Sequence, residues 1–214
     1  MPLSKYRYIV VEGPIGVGKT TLAQRLADYA DANSLLEKPQ DNPFLARFYQ
    51  DAERYALPTQ LFFLFQRINE VRDLAQMDMF QSRTVADYLF EKDELFARLT
   101  LSDDEYKLYQ SIYQSLAPQA PTPDLVIYLQ APTEVLIERV HKRGSRYERS
   151  VQDDYLSKLA NSYGEFFHHY QAAPVLVVNS ERLNFVDNAN DFNLLLERIG
   201  KMRGRREFFN VGRD

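Results

Sequence analysis

Short apolar runs alternate along the chain with longer stretches of helical period. Tyr8 to Val11, Ser34 to Leu36, Arg83 to Ala86, Asp124 to Leu129 and Pro174 to Val178 are brief and rich in branched and aromatic residues, as buried strands require. After the first, Leu22, Leu26 and Ala30 recur at helical spacing with Gln24, Arg25 and Asp28 between them, predicting an amphipathic helix that ends near Asn33. Asp41-Asn42-Pro43 signals another helix start, with Asn42 as cap, Pro43 at the first helical position and Phe44, Leu45 and Phe48 on the buried side. From about Leu57 to Leu74, Leu61, Phe62, Phe63, Leu64, Phe65, Ile68 and Val71 cover nearly the whole circumference of a helix, which predicts burial at the centre. Leu95-Phe96-Ala97 leads into a further helix, and Ser102-Asp103-Asp104-Glu105 spells a capping box for one running to about Leu116. Pro118, Pro121 and Pro123 mark a connection; helices from Pro132 to about Val140, before the fifth strand, and from Ala189 to Ile199 complete the pattern. Five strands alternating with helices, without hairpin signals, predict an α/β fold with a doubly wound parallel sheet and ligands at the carboxyl ends of its strands. One domain over residues 1–200 accounts for this, and the basic stretch from Lys201 to Arg213 reads as a frayed tail.

Composition narrows the possibilities. Of 214 residues, 45% are hydrophobic and 13% aromatic, enough to bury a sizeable core. No cysteine is present and only three histidines, which removes disulfides and thiolate metal sites and makes a zinc site a poor expectation. A net charge of −4 gives no global basic field for nucleic acid. No apolar run approaches the roughly 20 residues of a membrane span, and the first strand begins too early for a signal peptide, so cytoplasmic location is the expectation.

The candidate chemistry begins after the first strand. Gly13-Pro14-Ile15-Gly16-Val17-Gly18-Lys19-Thr20 matches G-x-x-x-x-G-K-[ST] at every fixed position, in the strand-loop-helix context that gives the motif meaning. Backbone N–H groups of such a loop turn inward around phosphate oxygens, Lys19 reaches the β- and γ-phosphates, and the Thr20 hydroxyl is placed to ligate Mg²⁺, with Thr21 extending the site into the helix. The implied ligands are ATP and Mg²⁺. Asp87, just past the third strand, is placed to share the magnesium or else to cap a helix. Gln60 and Arg67 lie seven residues apart, about 10 Å along one face of the apolar helix, where they need partners or a ligand. Arg139, His141, Lys142, Arg143, Arg146 and Arg149 crowd around Gly144. Alone, that run reads as a solvated face; beside bound triphosphate it reads as an Arg-rich lid, at about 141–150, that neutralises charge in the transition state. Such a lid, with no switch motif of the GTPase kind, favours a small-molecule kinase.

These residues together resemble the P-loop deoxynucleoside kinase family, especially its bacterial deoxyadenosine and deoxyguanosine kinase branch, across roughly residues 6–180. The specific pieces are Gly13 to Thr21, Glu37 followed by Asp41-Asn42-Pro43-Phe44-Leu45, the Phe48-Tyr49 pair, and Gln60-Leu61-Phe62-Phe63-Leu64 with Arg67. The resemblance implies a P-loop kinase fold and a homodimer, with Glu37 as the base that accepts the proton of a sugar 5′-hydroxyl. It implies that Tyr49 and Glu148 hold the 3′-hydroxyl, that Gln60 binds the base, that Phe96 stacks on it, and that Arg143 and Arg146 contact the phosphates. A purine deoxynucleoside is the implied acceptor, since a Gln amide offers adenine a donor and an acceptor side by side.

One position departs from the pattern. Many relatives carry Glu-Arg-Ser or Asp-Arg-Ser after the third strand, with the Arg near the 5′-hydroxyl, whereas this chain has Ala86-Asp87-Tyr88. Either Asp87 takes the acidic place and the Arg is missing, or Arg83 supplies some of the charge. Two other readings stay open: a nucleoside monophosphate kinase of the thymidylate kinase type, which would need a cationic acceptor site that Glu37 opposes, and a non-catalytic ATP-binding regulator.

Overall fold

The structure is a computed structural model and describes residues 2–76, 83–116, 120–148, 150–185 and 188–210, without the side chains of residues 73–76 and 146. Its centre is β1 (Tyr8–Glu12), whose residues are buried almost throughout. To one side lie β3 (Thr84–Ala86) and then β2 (Asn33–Leu35); to the other lie β4 (Leu125–Gln130), β5 (Val175–Asn179) and β6 (Arg206–Phe209). Every neighbouring pair is parallel, with Val10 opposite both Ala86 and Val126 and Tyr128 opposite Val177.

Period-two alternation sorts the strand residues into two cores. Ile9, Val11, Leu125, Ile127, Leu129, Leu176 and Val178 face α1 (Lys19–Ala30) and α8 (Ala189–Lys201), which contribute Leu22, Leu26, Leu195 and Ile199. On the opposite face, Val10, Val126, Tyr128, Val175 and Val177 meet Leu159, Tyr163 and Phe167 of α7 (Asp153–His169). α4 (Lys92–Thr100) lies beside α7, and α3 (Ala52–Gln76) and α5 (Asp103–Leu116) build a further apolar cluster outside it. The short α2 (Leu45–Phe48) and α6 (Thr133–Arg143) complete the set. Ser102 gives both its N–H and its hydroxyl to Glu105, as the capping-box spelling demands.

Three expectations need correction. The sheet has six strands rather than five. The sixth comes from the stretch read as a frayed tail: Arg206–Phe209 pairs with Val175 to Val178. Arg205 and Arg206 donate to the carbonyls of Gln171 and Tyr170, and Phe209 packs on the sheet core. An edge strand needs only one face against the core: Glu207 and Phe209 are half-buried while Arg206 and Phe208 stay exposed, so a composition that looks tail-like is compatible with pairing. Third, α3 starts at Ala52, contains Pro58, and is not buried all round: Leu64, Ile68 and Val71 are buried, while Phe65 is 47% exposed. Removal of residues 203–214 is expected to lower the melting temperature by about 5–10 °C, from several backbone hydrogen bonds at roughly 0.5–1.5 kcal/mol each. An unchanged melting curve for the chain ending at Met202 would show that β6 adds nothing to stability.

Candidate active site

The loop between β1 and α1 is held in shape by glycine where other residues would strain. Gly16 and Gly18 have φ of +87° and +95°, and a Cβ on Gly16 would stand 2.7 Å from the carbonyl oxygen of Leu136. α1 begins at Lys19 directly after the loop, so the free N–H groups of its first turn end at the loop. Asp87, at the carboxyl end of β3, joins two neighbours. Its Oδ2 accepts from the Thr20 hydroxyl at 2.5 Å and its Oδ1 from the Glu37 backbone N–H at 2.7 Å. The carboxylate thus stands beside the phosphate loop and is not a helix cap. Arg83 lies at the far end of the same strand, directed to the Ala30 carbonyl at 3.5 Å, and does not join the site.

A cavity of about 370 Å³ opens beside these strand ends. The structure brings Ile15, Lys19, Thr20, Thr21, Glu37, Tyr49, Gln60, Arg67, Phe96, Arg143 and Glu148 to its wall. The remaining loop residues Gly13, Pro14, Gly16, Val17 and Gly18 are not on that wall; Gly16, Val17 and Gly18 line a second hollow of about 330 Å³ together with Thr21, Arg139 and Phe185. Arg139 is tied there by a 2.8 Å bond to the Ser180 carbonyl.

Glu37 sits within a chain of buried charges. Arg67 pairs with Glu37 Oε1 and with Asp93, and Lys92 Nζ lies 3.0 Å from Glu37 Oε2 and 3.6 Å from Glu12 Oε2. Three carboxylates thus face two cations, a local charge of −1. Glu12 is fully buried and accepts from Gly13 N–H at 3.0 Å, Leu89 N–H at 2.7 Å and the Tyr163 hydroxyl at 3.0 Å. Burial by itself would raise the Glu37 pKa, but Lys92, Arg67 and Lys19 outweigh it and hold the carboxyl well below the usual carboxylate range. Its side chain keeps 18% exposure, so an ionised carboxylate is presented at the cavity. Burial pulls the Lys92 pKa down against the support of Glu12 and Glu37.

Around this chain the other side chains are held by specific partners. Gln60 gives Nε2–H to the Thr100 hydroxyl at 3.2 Å, and Thr100 gives its own proton to the Phe96 carbonyl at 2.8 Å. That sequence of bonds fixes the Gln60 amide and leaves its Oε1 and second N–H for a ligand. Tyr49 belongs to a ring cluster with Phe48 and Tyr155 at centroid distances of 5.2 and 6.1 Å. Arg143, in the last turn of α6, makes a two-bond contact with Glu148, through Nε to Oε2 at 3.0 Å and through Nη2 to Oε1. Glu148 is 6% exposed, so the anion is buried and the cation stays nearer solvent. The side chain of Arg146 and all of Arg149 lie outside the described residues.

Lys92, Asp93 and Glu12 escaped the sequence reading. Glu91-Lys92-Asp93-Glu94 looks like a solvated helix start, yet Lys92 and Asp93 are each 1% exposed. One available signal was the four-residue spacing from Lys92 to Phe96, which puts both on one helical face. No helix of the described residues is long and apolar enough to cross a membrane. Among those residues no group of three or more His, Asp and Glu could enclose an ion. Thr20 lies on the cavity wall and offers the hard oxygen that magnesium prefers. Asp87, fully buried with one oxygen on the Thr20 hydroxyl and the other on the Glu37 N–H, fits as the anion that supports that site from behind, the ion taking much of its coordination from phosphate and water.

Comparison with known proteins gives one picture. The family model described as deoxynucleoside kinase matches residues 9–202. A deoxyguanosine kinase of Bacillus subtilis (strain 168) is 32% identical over 200 residues, covering 91% of this chain and 97% of that protein. A deoxyadenosine kinase of Lactobacillus acidophilus is 28% identical over 205 residues, covering 89% of this chain and 94% of that protein. A solved structure of deoxyadenosine kinase from M. mycoides, with the products dCMP and a flexible dCDP bound, superposes with a TM-score of 0.79 at 21% identity, over 91% of this chain and 100% of that one.

Proposed function

The chain belongs to the deoxynucleoside kinase family, and from that premise we propose that it transfers the γ-phosphate of ATP to the 5′-hydroxyl of a purine deoxynucleoside, deoxyadenosine or deoxyguanosine. The observation that carries this reading is the ionised Glu37 carboxylate on the wall of a cavity shared with Lys19 and Thr20 of the phosphate loop and with Gln60 and Phe96. A hydroxyl bonded to Glu37 is oriented, and its proton has an acceptor as the oxygen attacks phosphorus. Lys19 and the loop N–H groups hold the β- and γ-phosphates, and the hollow at Gly18 and Arg139 suits the remainder of the ATP. Thr20 and Asp87 would hold Mg²⁺, which when bound neutralises phosphate charge. Gln60 and Phe96 take the base, Tyr49 and Glu148 the sugar 3′-hydroxyl, and Arg143 and Arg146 the phosphates. Arg143 must then divide its contacts between Glu148 and the phosphates. Arg67 is assigned to holding Glu37 rather than to the substrate. Because three carboxylates, Glu37, Asp93 and Glu12, face the two cations Arg67 and Lys92, an acceptor phosphate bound there before any proton reaches Glu37 would meet net negative charge, which disfavours a nucleoside monophosphate. A homodimer in the cytoplasm is part of the same proposal.

The test is ADP release from Mg-ATP with each of the four deoxynucleosides, their ribo counterparts and their monophosphates as separate acceptors. Turnover with deoxyadenosine or deoxyguanosine and none with monophosphates supports the reading. Turnover only with a monophosphate overturns it, and silence with every acceptor favours a regulator. Within the same reading, Gln60→Ala is expected to weaken nucleoside binding about 10- to 100-fold, the loss of one or two buried hydrogen bonds. ATP affinity should stay within about twofold. Parallel calorimetric titrations showing equal losses for both ligands would remove Gln60 from the base site.

A further inference from the structure

Lys92 is a buried cation on the cavity wall that the mechanism above leaves without a task. It is 1% exposed, it opens α4, and it lines the same cavity as Glu37, Lys19 and Thr20. A buried ammonium is costly, and an apolar side chain of similar volume fills such a space at less expense unless the charge is used. Its Nζ stands 3.0 Å from Glu37 Oε2, so a hydroxyl bonded to Glu37 is about one further hydrogen-bond length away. The other cations near Glu37 have other work: Arg67 grips the second oxygen of Glu37 and also Asp93, Arg83 points to the Ala30 carbonyl, Lys19 serves the β- and γ-phosphates, and Arg143 reaches the phosphates only by dividing its contacts with Glu148. Tyr88, next after Asp87, is 1% exposed and gives its hydroxyl to Glu70 at 2.7 Å. Its ring lies 5.9 Å from the Lys92 ammonium, packing beside it without replacing its charge.

Resting on the kinase reading, we propose that Lys92 is a catalytic residue whose ammonium contacts the transferring phosphoryl group beside the attacking 5′-oxygen. In that step the bond from the 5′-oxygen to the γ-phosphorus forms. The bond from that phosphorus to the β,γ-bridging oxygen breaks, its electron pair leaves on ADP, and the hydroxyl proton passes to Glu37. With the proton on Glu37, the ammonium has one anion fewer to neutralise and faces the oxygens over which negative charge spreads. Glu12 holds the other side of Lys92 and also accepts from Gly13 N–H, so the ammonium is anchored to the backbone that starts the phosphate loop.

The natural chain has no cysteine, so Lys92→Cys introduces a single thiol. Alkylated with bromoethylamine in the unfolded state and refolded, it regains an ammonium at lysine length; iodoacetamide gives a neutral adduct as control, and wild type is carried through the same treatment. Lys92→Cys is expected to lose turnover at saturating substrates by about 100-fold or more, with the KM for ATP and for nucleoside each within about threefold. Aminoethylation should restore turnover to within about tenfold of wild type, and the neutral adduct should not. If Lys92→Cys does not fold, Lys92→Met combined with Glu12→Gln removes one charge of each sign and enters the same KM and turnover assays. Turnover of either variant within about fivefold of wild type, a loss confined to KM, or equal rescue by the neutral adduct would overturn the role of Lys92. Absence of deoxynucleoside turnover in wild type would instead overturn the kinase reading from which it starts.

Discussion

Glu37→Gln is expected to lower turnover at saturating ATP and nucleoside by about 100- to 1,000-fold, while the nucleoside dissociation constant stays within about threefold. The size follows from what positioned proton acceptors contribute, about 10² to 10⁴ in rate. The lower part of that range is appropriate because Lys92 and Arg67 depress the basicity of the carboxylate. A weak base cannot remove the hydroxyl proton early. Glu37 therefore acts by aiming the hydroxyl and by receiving its proton once attack on phosphorus has made that proton acidic, which suits a loose phosphoryl transition state. Binding survives because Gln keeps an acceptor oxygen of the same reach and because the strand end is placed by the Glu37 backbone N–H on Asp87, not by the side chain. The charge chain survives as well, since Arg67 retains Asp93 and Lys92 retains Glu12. Steady-state turnover paired with calorimetric titration of the nucleoside decides the matter. Equal turnover in variant and wild type would take Glu37 out of the mechanism, and a loss seen only in binding would make it a recognition residue.

How much of this site was legible in the sequence depended on whether a residue's role is written locally. The phosphate loop was legible because its glycines answer to backbone geometry inside one short segment, as the positive φ of Gly16 and Gly18 shows. Asp87 lies beside Thr20 because strand ends of a parallel sheet converge on one edge, so its position in the strand made its neighbourhood legible. Gln60 and Arg67 drew notice as polar residues inside an apolar helix, and they reach one cavity. Lys92 and Asp93 carried no such mark. Their burial is created by α3 and the strand ends closing over the start of α4, a tertiary event of which the only local trace is the four-residue spacing from Lys92 to Phe96. The same limit explains β6, which pairs with β5 only after the chain has passed through α8. It also explains α3, whose apolar circumference suggested full burial although its packing partners cover only part of it.

Arg67→Met is expected to destabilise the protein by about 3–5 kcal/mol, the cost of leaving a buried carboxylate without its counter-charge. The stranded group is Asp93, whose side chain is 1% exposed and whose ion pair is with Arg67. Glu37 loses one clamp too, but it keeps Lys92 and has cavity access to solvent, so the larger penalty lies at Asp93. For a chain of this length such a loss corresponds to a melting point roughly 10 °C lower. The accompanying Asp93→Asn change separates lost packing from stranded charge. If charge dominates, Arg67→Met combined with Asp93→Asn is more stable than Arg67→Met alone, with a coupling energy of about 2–3 kcal/mol between the two positions. Urea unfolding of the four proteins in the cycle gives that coupling directly, provided the slopes agree. Additive losses would mean that Arg67 stabilises through the contact of its guanidinium with the Phe63 and Tyr88 rings, at 5.2 and 5.7 Å, rather than through its ion pairs. In that case the buried charge chain would serve the orientation of Glu37 alone, and Arg67→Met would show its main effect in turnover.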